Sequence, residues 1–324
     1  MISVAELHGE LRPDLDGIER TIASVAEEVD VPLLGQLLRH LLQAKGKRIR
    51  PSLAFLSARF GNYPVERLTL LGAAVELLHT ASLVHDDLVD DADTRRGVVT
   101  LHRIASTKAS VLVGDYLFAK SAAFATATNS LAVMSLFSRT LMAICDGELR
   151  EMSNASTDDR TLEQYYRRIE GKTASLFVAA TEGGAILSDV GPAGERAMRE
   201  YGLNLGLAFQ IADDILDFVG TEEELGKPIG GDLRQGTLTL PSLWALDQMR
   251  DADLLRQVVE DENATDEQIR HAVTLVAQSP AIDFSQSEAE SFSRRAKAAL
   301  DMFPHGPARE SLDAVADYAV RRRY

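Results

Sequence analysis

Two aspartate clusters constrain this chain most tightly, each set near the end of an apolar stretch with helical periodicity. They are Asp86-Asp87-Leu88-Val89-Asp90 and Asp213-Asp214-Ile215-Leu216-Asp217. In each, the first and third aspartates are four positions apart. On a helix they share a face one turn apart, with the second aspartate beside the first. The flanks are Leu83, Val84, Leu88 and Val89 in one case, and Phe209, Ile211, Ile215, Leu216 and Phe218 in the other. Like charges at this spacing repel by about 0.2–0.5 kcal/mol on an exposed helix, and by more where water is excluded. Acids near a helix C-terminus also oppose the macrodipole by about 0.3–1 kcal/mol each. Neither motif contains a lysine or arginine.

Bound cations relieve all three costs. Short carboxylate ligands suit a hard ion such as magnesium, which keeps water molecules and shares its shell with substrate phosphates. The residues therefore predict two carboxylate sets that face one another and hold divalent ions around a diphosphate. One such cluster alone reads equally well as a solvated helix end. Two copies with matching spacing favour metal. Asp91 and Asp93 read as solvated acids.

The rest of the chain reads as helix. Only 6% of its 324 residues are aromatic, and Ala and Leu are abundant. Leu33, Leu34, Leu37, Leu38, Leu41 and Leu42 fall at helical spacing within residues 1–44, and a basic turn stopped by proline is expected over Lys45–Pro51. A helix of about 40 Å is predicted from Val65 to Asp91. Another runs from Pro192 to Val219, with Gly220 as its stop. Residues 243–324 read as further helices. No low-complexity linker or short repeat interrupts the chain, so one domain over 1–324 is expected.

The formal net charge of −15 excludes a general nucleic-acid binder. One cysteine, Cys145, excludes a disulfide framework or a cysteine zinc site. No secretory leader is visible and no apolar run reads as long enough to span a bilayer, so a cytoplasmic protein is expected.

An acidic chain must place its cations where anions bind. Lys47, Arg48 and Arg50 cluster before Pro51, Arg95 and Arg96 follow the first aspartate cluster, and Lys227 follows the second. Lys172 sits in Gly171-Lys172-Thr173, which has neither the glycine cradle nor the preceding strand of a phosphate-binding P-loop. Arginine forks and lysine point charges are the usual diphosphate ligands.

From Leu37 to its end the chain resembles the trans-isoprenyl diphosphate synthases, the polyprenyl synthetase family. The resemblance rests on Gly46-Lys47-Arg48-Ile49-Arg50-Pro51, on His85 to Asp90 with Arg95-Arg96-Gly97, and on Gly114-Asp115-Tyr116-Leu117. It continues in Phe209 to Asp217, and in Gly226-Lys227-Pro228 with Gly231-Asp232-Leu233. Gly236-Thr237 departs from the lysine often found in the last block, which touches one peripheral phosphate contact.

The resemblance implies an all-α helical bundle of the isoprenoid synthase type around a deep central cavity, usually a homodimer. It implies Asp86, Asp90 and Asp213 as main metal ligands, supported by Asp87, Asp214 and Asp217, with three magnesium ions. Lys47, Arg50, His79 and Arg96 would hold isopentenyl diphosphate. Arg95, Lys172 and Lys227 would hold the allylic diphosphate, and Thr173 and Gln210 would face the developing allylic cation. The reaction implied is metal-assisted ionisation, condensation and proton elimination, with no covalent intermediate. Two rival readings are a class I terpene cyclase and a non-catalytic subunit of a heteromeric synthase. The first normally carries a different second motif, and the second usually loses one aspartate cluster.

The growing product is expected to run beside the first aspartate helix. Ser82 lies one turn, about 6 Å, below Asp86, and Ala81 adjoins it. By resemblance, short-chain synthases carry a bulky floor at these positions. A helix over 114–127 with Ala119, Ala122, Ala123, Ala125 and Ala127 is expected to extend the path, with Phe124 as a deeper floor. A medium- to long-chain product follows. The tail Arg321-Arg322-Arg323 reads as solvated.

Overall fold

A computed structural model describes residues 4–43, 46–95, 97–153, 160–221, 229–261 and 264–321. In chain order the helices are α1 (Val4–Ser24), α2 (Pro32–Leu42), α3 (Ile49–Ala58), α4 (Val65–Val89), α5 (Leu101–Ile104), α6 (Thr107–Ala127), α7 (Leu131–Ser153) and α8 (Leu162–Ile169). A π-helical turn, Glu170–Ala174, leads into α9 (Ser175–Leu187) and α10 (Gly191–Val219). Then follow α11 (Gly231–Arg234), α12 (Leu240–Gln248), α13 (Asp253–Glu260), α14 (Asp266–Ala277), α15 (Pro280–Ala299) and α16 (Pro307–Arg321). Among the described residues the only sheet is an antiparallel hairpin of β1 (Thr94–Arg95) and β2 (Val98–Val99). The fold class is all-α.

The chain divides into two compact units. The first comprises residues 1–142, 176–202 and 299–314, and its core surrounds α4. Leu68, Leu71, Leu77 and Leu78 of α4 are buried with Leu53, Phe55 and Leu56 of α3 and Leu11 and Ile18 of α1. Its closest helix partner is α6, where Val113, Leu117 and Ser121 are buried and Ser121 Oγ donates to Ala74 O at 2.6 Å. The apolar residues of α4 lie all round its axis, as burial on several sides requires.

By length and composition α4 is also apolar enough to cross a membrane, which corrects the reading of the sequence. However, 67% of its most apolar window is buried within the protein, as in a core helix. A second correction concerns Pro51. The turn expected over Lys45–Pro51 does not last to Pro51, which lies in the first turn of α3, where the missing N–H has no intrahelical acceptor to lose.

Arg48 caps α3 from a left-handed backbone, φ 45°. Arg48 Nε donates to Glu19 Oε1 at 2.5 Å and Nη1 to Glu76 Oε1 at 2.5 Å, tying α1 and α4 to the start of α3. Arg48 is thus a structural cation, whereas Lys47 is exposed and Arg50 packs over the Phe177 ring at 4.8 Å.

The second unit comprises residues 143–175, 203–298 and 315–324. Its core gathers Tyr165 and Ile169 of α8, Ile211, Ile215 and Phe218 of α10, Leu240 and Leu243 of α12, Ile269 of α14 and Phe292 of α15. A reciprocal cap starts α14: Gln268 N donates to Thr265 Oγ1 and Thr265 N to Gln268 Oε1.

Removing Arg48 leaves Glu76, nearly buried, without its counter-charge. Arg48→Ala is expected to lower stability by about 3–5 kcal/mol in urea unfolding. Arg48→Lys should restore only part, since one ammonium cannot fork to both glutamates. An unchanged unfolding midpoint in Arg48→Ala would contradict this role.

Candidate active site

In the first unit, the end of α4 sorts its three aspartates by exposure. Asp90 is exposed, Asp86 is half-buried and Asp87 is 6% exposed. Helical geometry sets this pattern. Asp86 and Asp90 share the outer face, while Asp87 turns toward the hairpin. There Arg95 Nε and Nη2 each lie 2.6 Å from Asp87 Oδ1. Gly97, with φ 75°, lies between β1 and β2 where the chain reverses to pair the two strands. Arg95 therefore braces the aspartate cluster. Arg96 and Lys227, both expected diphosphate ligands, lie outside the described residues, as do Arg322 and Arg323. Asp91 and Asp93 are exposed as expected, though both pair with Arg103.

His85 Nε2 stands 3.8 Å from Asp115 and 3.3 Å from Val111 O, and its ring packs edge-on against Phe118 at 5.3 Å. A Cβ at Gly114 would collide with this imidazole. Glycine there lets α6 approach the residue next to Asp86, a physical reason for the Gly114-Asp115 motif. His79 is half-buried and its carbonyl accepts from Ser82 Oγ at 2.9 Å. Ala81 and Ser82 are both buried. A cavity runs along the Glu76, Thr80, Leu83 and Asp87 side of α4 and is also lined by Leu41 and Val98.

Most of the alanines of α6 do not lie on its buried face. Ala119, Ala123 and Ala127 are exposed, Ala122 is half-buried and only Ala125 is buried. Ala119, Ala122, Ala123 and Ala127 stand at i, i+3, i+4 and i+8 and so share one face, while Ala125 lies across the helix from them. The face of α6 turned inward carries Ser110, Val113, Gly114, Leu117 and Ser121 instead. Phe124 is half-buried, with Lys120 Nζ 5.2 Å from its ring centre.

In the second unit, α10 sorts its aspartates in the same way. Asp213 is half-buried, while Asp214 and Asp217 are 3% and 2% exposed. Both buried carboxylates have donors. Asp217 accepts from the backbone of Gly231 at 3.3 Å and Asp232 at 3.0 Å, and Gly230 donates to its carbonyl. Asp214 Oδ2 accepts from the Tyr165 hydroxyl and Oδ1 from Gln210 Nε2, each at 2.7 Å. Thr173 Oγ1 then donates to Gln210 Oε1 at 2.6 Å. The chain Thr173–Gln210–Asp214–Tyr165 fixes which way the Gln210 amide faces.

Burial pushes the Asp214 carboxyl up to about 6, against the opposing pull of Tyr165, Gln210 and Arg168. The Tyr165 hydroxyl is raised well above its ordinary range by burial and by Asp214, so it stays protonated and donates. Arg168 is itself buried, donating to Leu238 O at 2.6 Å, with its guanidinium 5.5 Å from the Tyr165 ring.

Lys172 projects from the π-helical turn. Its Nζ lies 3.0 Å from Glu148 Oε2 and 3.0 Å from Glu151 Oε2, both on α7. Tyr165, Glu148 and Glu151 had not been singled out in the sequence. The glutamates were legible as an i, i+3 pair after Gly147, and Tyr165 as lying two helical turns before Lys172.

The donor set suits a hard cation. Each cluster offers carboxylate oxygens that are at most half-buried, backed by carboxylates already braced by protein donors. Among the described residues no three His, Cys, Asp or Glu side chains gather as a closed metal cage. An ion held at either cluster would need further ligands from outside these carboxylates.

Comparison with known proteins agrees with this geometry. A family model described as polyprenyl synthetase matches residues 31–276. The chain is 38% identical over 314 residues to heptaprenyl diphosphate synthase component 2 of Bacillus subtilis (strain 168), covering 97% of this chain and 89% of the relative. It is 36% identical over 317 residues to octaprenyl diphosphate synthase of Escherichia coli (strain K12), covering 95% and 96%. Its structure superposes with TM-score 0.93 on a polyprenyl synthase from Caulobacter crescentus CB15 complexed with calcium and isoprenyl diphosphate, at 39% identity and covering 99% and 98%. The chain belongs to the polyprenyl synthetase family.

Proposed function

We propose that the chain is a magnesium-dependent trans-prenyltransferase that condenses isopentenyl diphosphate head-to-tail with an allylic diphosphate, giving a polyprenyl diphosphate. The observation that carries this reading is the shared design of the two aspartate clusters. In both, carboxylates that are not fully buried stand beside buried ones held by Arg95 or by Tyr165 and Gln210. Neither the cyclase nor the non-catalytic subunit is favoured by any feature of the site. Both units serve as one polyprenyl synthetase domain, and a cytoplasmic location is in keeping with the single free cysteine.

In the mechanism, Asp86, Asp90 and Asp213 would hold the divalent ions, and Asp87, Asp214 and Asp217 would position those three carboxylates. Bound magnesium supplies positive charge for the departing diphosphate. Lys172, with Arg95 and Lys227, holds the allylic diphosphate, and Lys47, Arg50, His79 and Arg96 hold isopentenyl diphosphate. As the allylic carbon–oxygen bond ionises, Gln210 and Thr173 present oxygen dipoles to the carbocation. Their orientation is already set by the hydrogen-bond chain to Tyr165, so little reorganisation is needed. The isopentenyl double bond attacks, and a proton leaves to the released diphosphate. The protein supplies positioning and charge, not a nucleophile.

A homodimer is supported by α7. Leu131, Met142, Leu149 and Met152 are 86, 63, 65 and 63% exposed, with exposed Cys145 among them. Their spacing follows a seam of alternating three- and four-residue steps, the pattern of a helix facing a partner helix. The B. subtilis relative is named a component, so a different second chain is the competing occupant.

Three measurements test these readings. Asp86→Ala, Asp90→Ala and Asp213→Ala should each lower turnover with magnesium at least about a hundredfold; near-normal rates in all three would end the proposal. Ala81→Phe or Ser82→Phe should shorten the product below the wild-type length, read by mass analysis, and an unchanged product would refute the path beside α4. Light scattering should give twice the chain mass for wild type and the single-chain mass for Leu149→Glu. A monomeric wild type would leave the face to another partner.

A further inference from the structure

No substrate of the proposed reaction is assigned to the cavity beside α4, which lies wholly within the first unit. Glu76, Thr80, Leu83 and Asp87 follow one another at helical spacing and share a face of α4. At about 100° per residue, that face lies roughly a quarter turn round the helix from Asp86 and Asp90. Ser82 lies further round still, and neither Ser82 nor Ala81 is among the lining residues. The cavity is therefore separate from the product path expected along those two residues.

Its walls are mostly apolar, with Ile22 of α1, Leu41 of α2, Leu83 of α4, Val98 of β2 and Leu101 of α5. His40 Nε2 donates to Val99 O at 2.8 Å, and this bond joins α2 to β2 beside the cavity. The empty space is about 710 Å³, with open solvent at the mouth included. The charged side chains of the lining are already paired. Arg48 stands 2.5 Å from Glu76, and Arg95 stands 2.6 Å from Asp87. A ligand with a net charge would have to break or crowd one of these pairs.

An acceptor remains among them. Glu76 is 5% exposed, and Arg48 takes only its Oε1. Among the described residues no donor reaches Oε2. A buried acceptor without a donor is destabilising, so a hydroxyl brought by a ligand is favoured there. We propose that this cavity binds a neutral apolar alcohol, whose chain lies against Leu41, Leu83 and Val98 and whose hydroxyl donates to Glu76 Oε2. Neutrality follows from the paired charges, the apolar chain from the walls, and the hydroxyl from the unsatisfied oxygen.

Equilibrium dialysis of the full chain with labelled farnesol, and separately with labelled 1-dodecanol, tests this. Each is run with and without farnesyl thiodiphosphate and magnesium chloride, which compete for the substrate site. Wild type should hold one alcohol per chain in both conditions. Leu41→Trp, which fills the cavity, should weaken binding at least about tenfold while keeping wild-type turnover and thermal midpoint. The methyl ether of the better alcohol, which cannot donate, should bind about tenfold more weakly than the alcohol. Binding of either alcohol in this way upholds the site, and the tighter of the two names the source as a prenyl or a fatty alcohol. Absence of binding to wild type overturns the inference. So does displacement of the alcohol by the thiodiphosphate, equal binding by Leu41→Trp, or equal binding of the ether. Should Leu41→Trp fail to fold, Val98→Phe carries the same comparison.

Discussion

Crowded carboxylate at a helix end is the constraint around which both units are arranged. Six aspartates sit where the macrodipole is unfavourable and the flanks are apolar. The protein answers by dividing labour within each cluster. The inner members are buried and receive donors: Arg95 for Asp87, Tyr165 and Gln210 for Asp214, two backbone amides for Asp217. The outer members keep contact with solvent. A carboxylate satisfied by protein hydrogen bonds is stable without an ion, and it stiffens the neighbour that needs one.

The same economy governs the cations. Of the basic residues clustered before α3, Arg48 is consumed by Glu19 and Glu76. Arg95 braces Asp87, and Lys172 is bracketed by two glutamates. In a chain of net charge −15, such pairing keeps positive groups at defined places instead of leaving them to the nearest surface acid. Glycine makes the placement possible. Gly114 admits His85, and Gly147 and Gly171 bring α7 against the π-helical turn. Each is a point where a side chain would hold two elements apart.

Much of this could be read in advance. Spacing within the aspartate clusters predicted helix ends, and α4 and α10 end where the motifs lie. The all-α class followed from composition, and the family from ordered motifs. Other readings missed because they used sequence proximity where geometry decides. Lys47, Arg48 and Arg50 are neighbours in the chain, yet Arg48 pairs with Glu19 and Glu76 while Arg50 packs over Phe177. Four of the five alanines of α6 share one face by helical spacing, yet that face is turned outward and only Ala125 is buried. Pro51 looked like a stop, although the first helical turn tolerates it.

By itself the sequence determined the chemistry available: carboxylates in helical pairs, cations outside them, small residues below the first cluster. These are local properties, set by residue type and by a repeat of 3.6 positions. Tertiary structure alone decided that Asp214 is braced by Tyr165 and that Lys172 lies between Glu148 and Glu151, because these partners come from separate helices. Long-range packing chooses the partner of a charge, and no spacing rule along the chain encodes that choice.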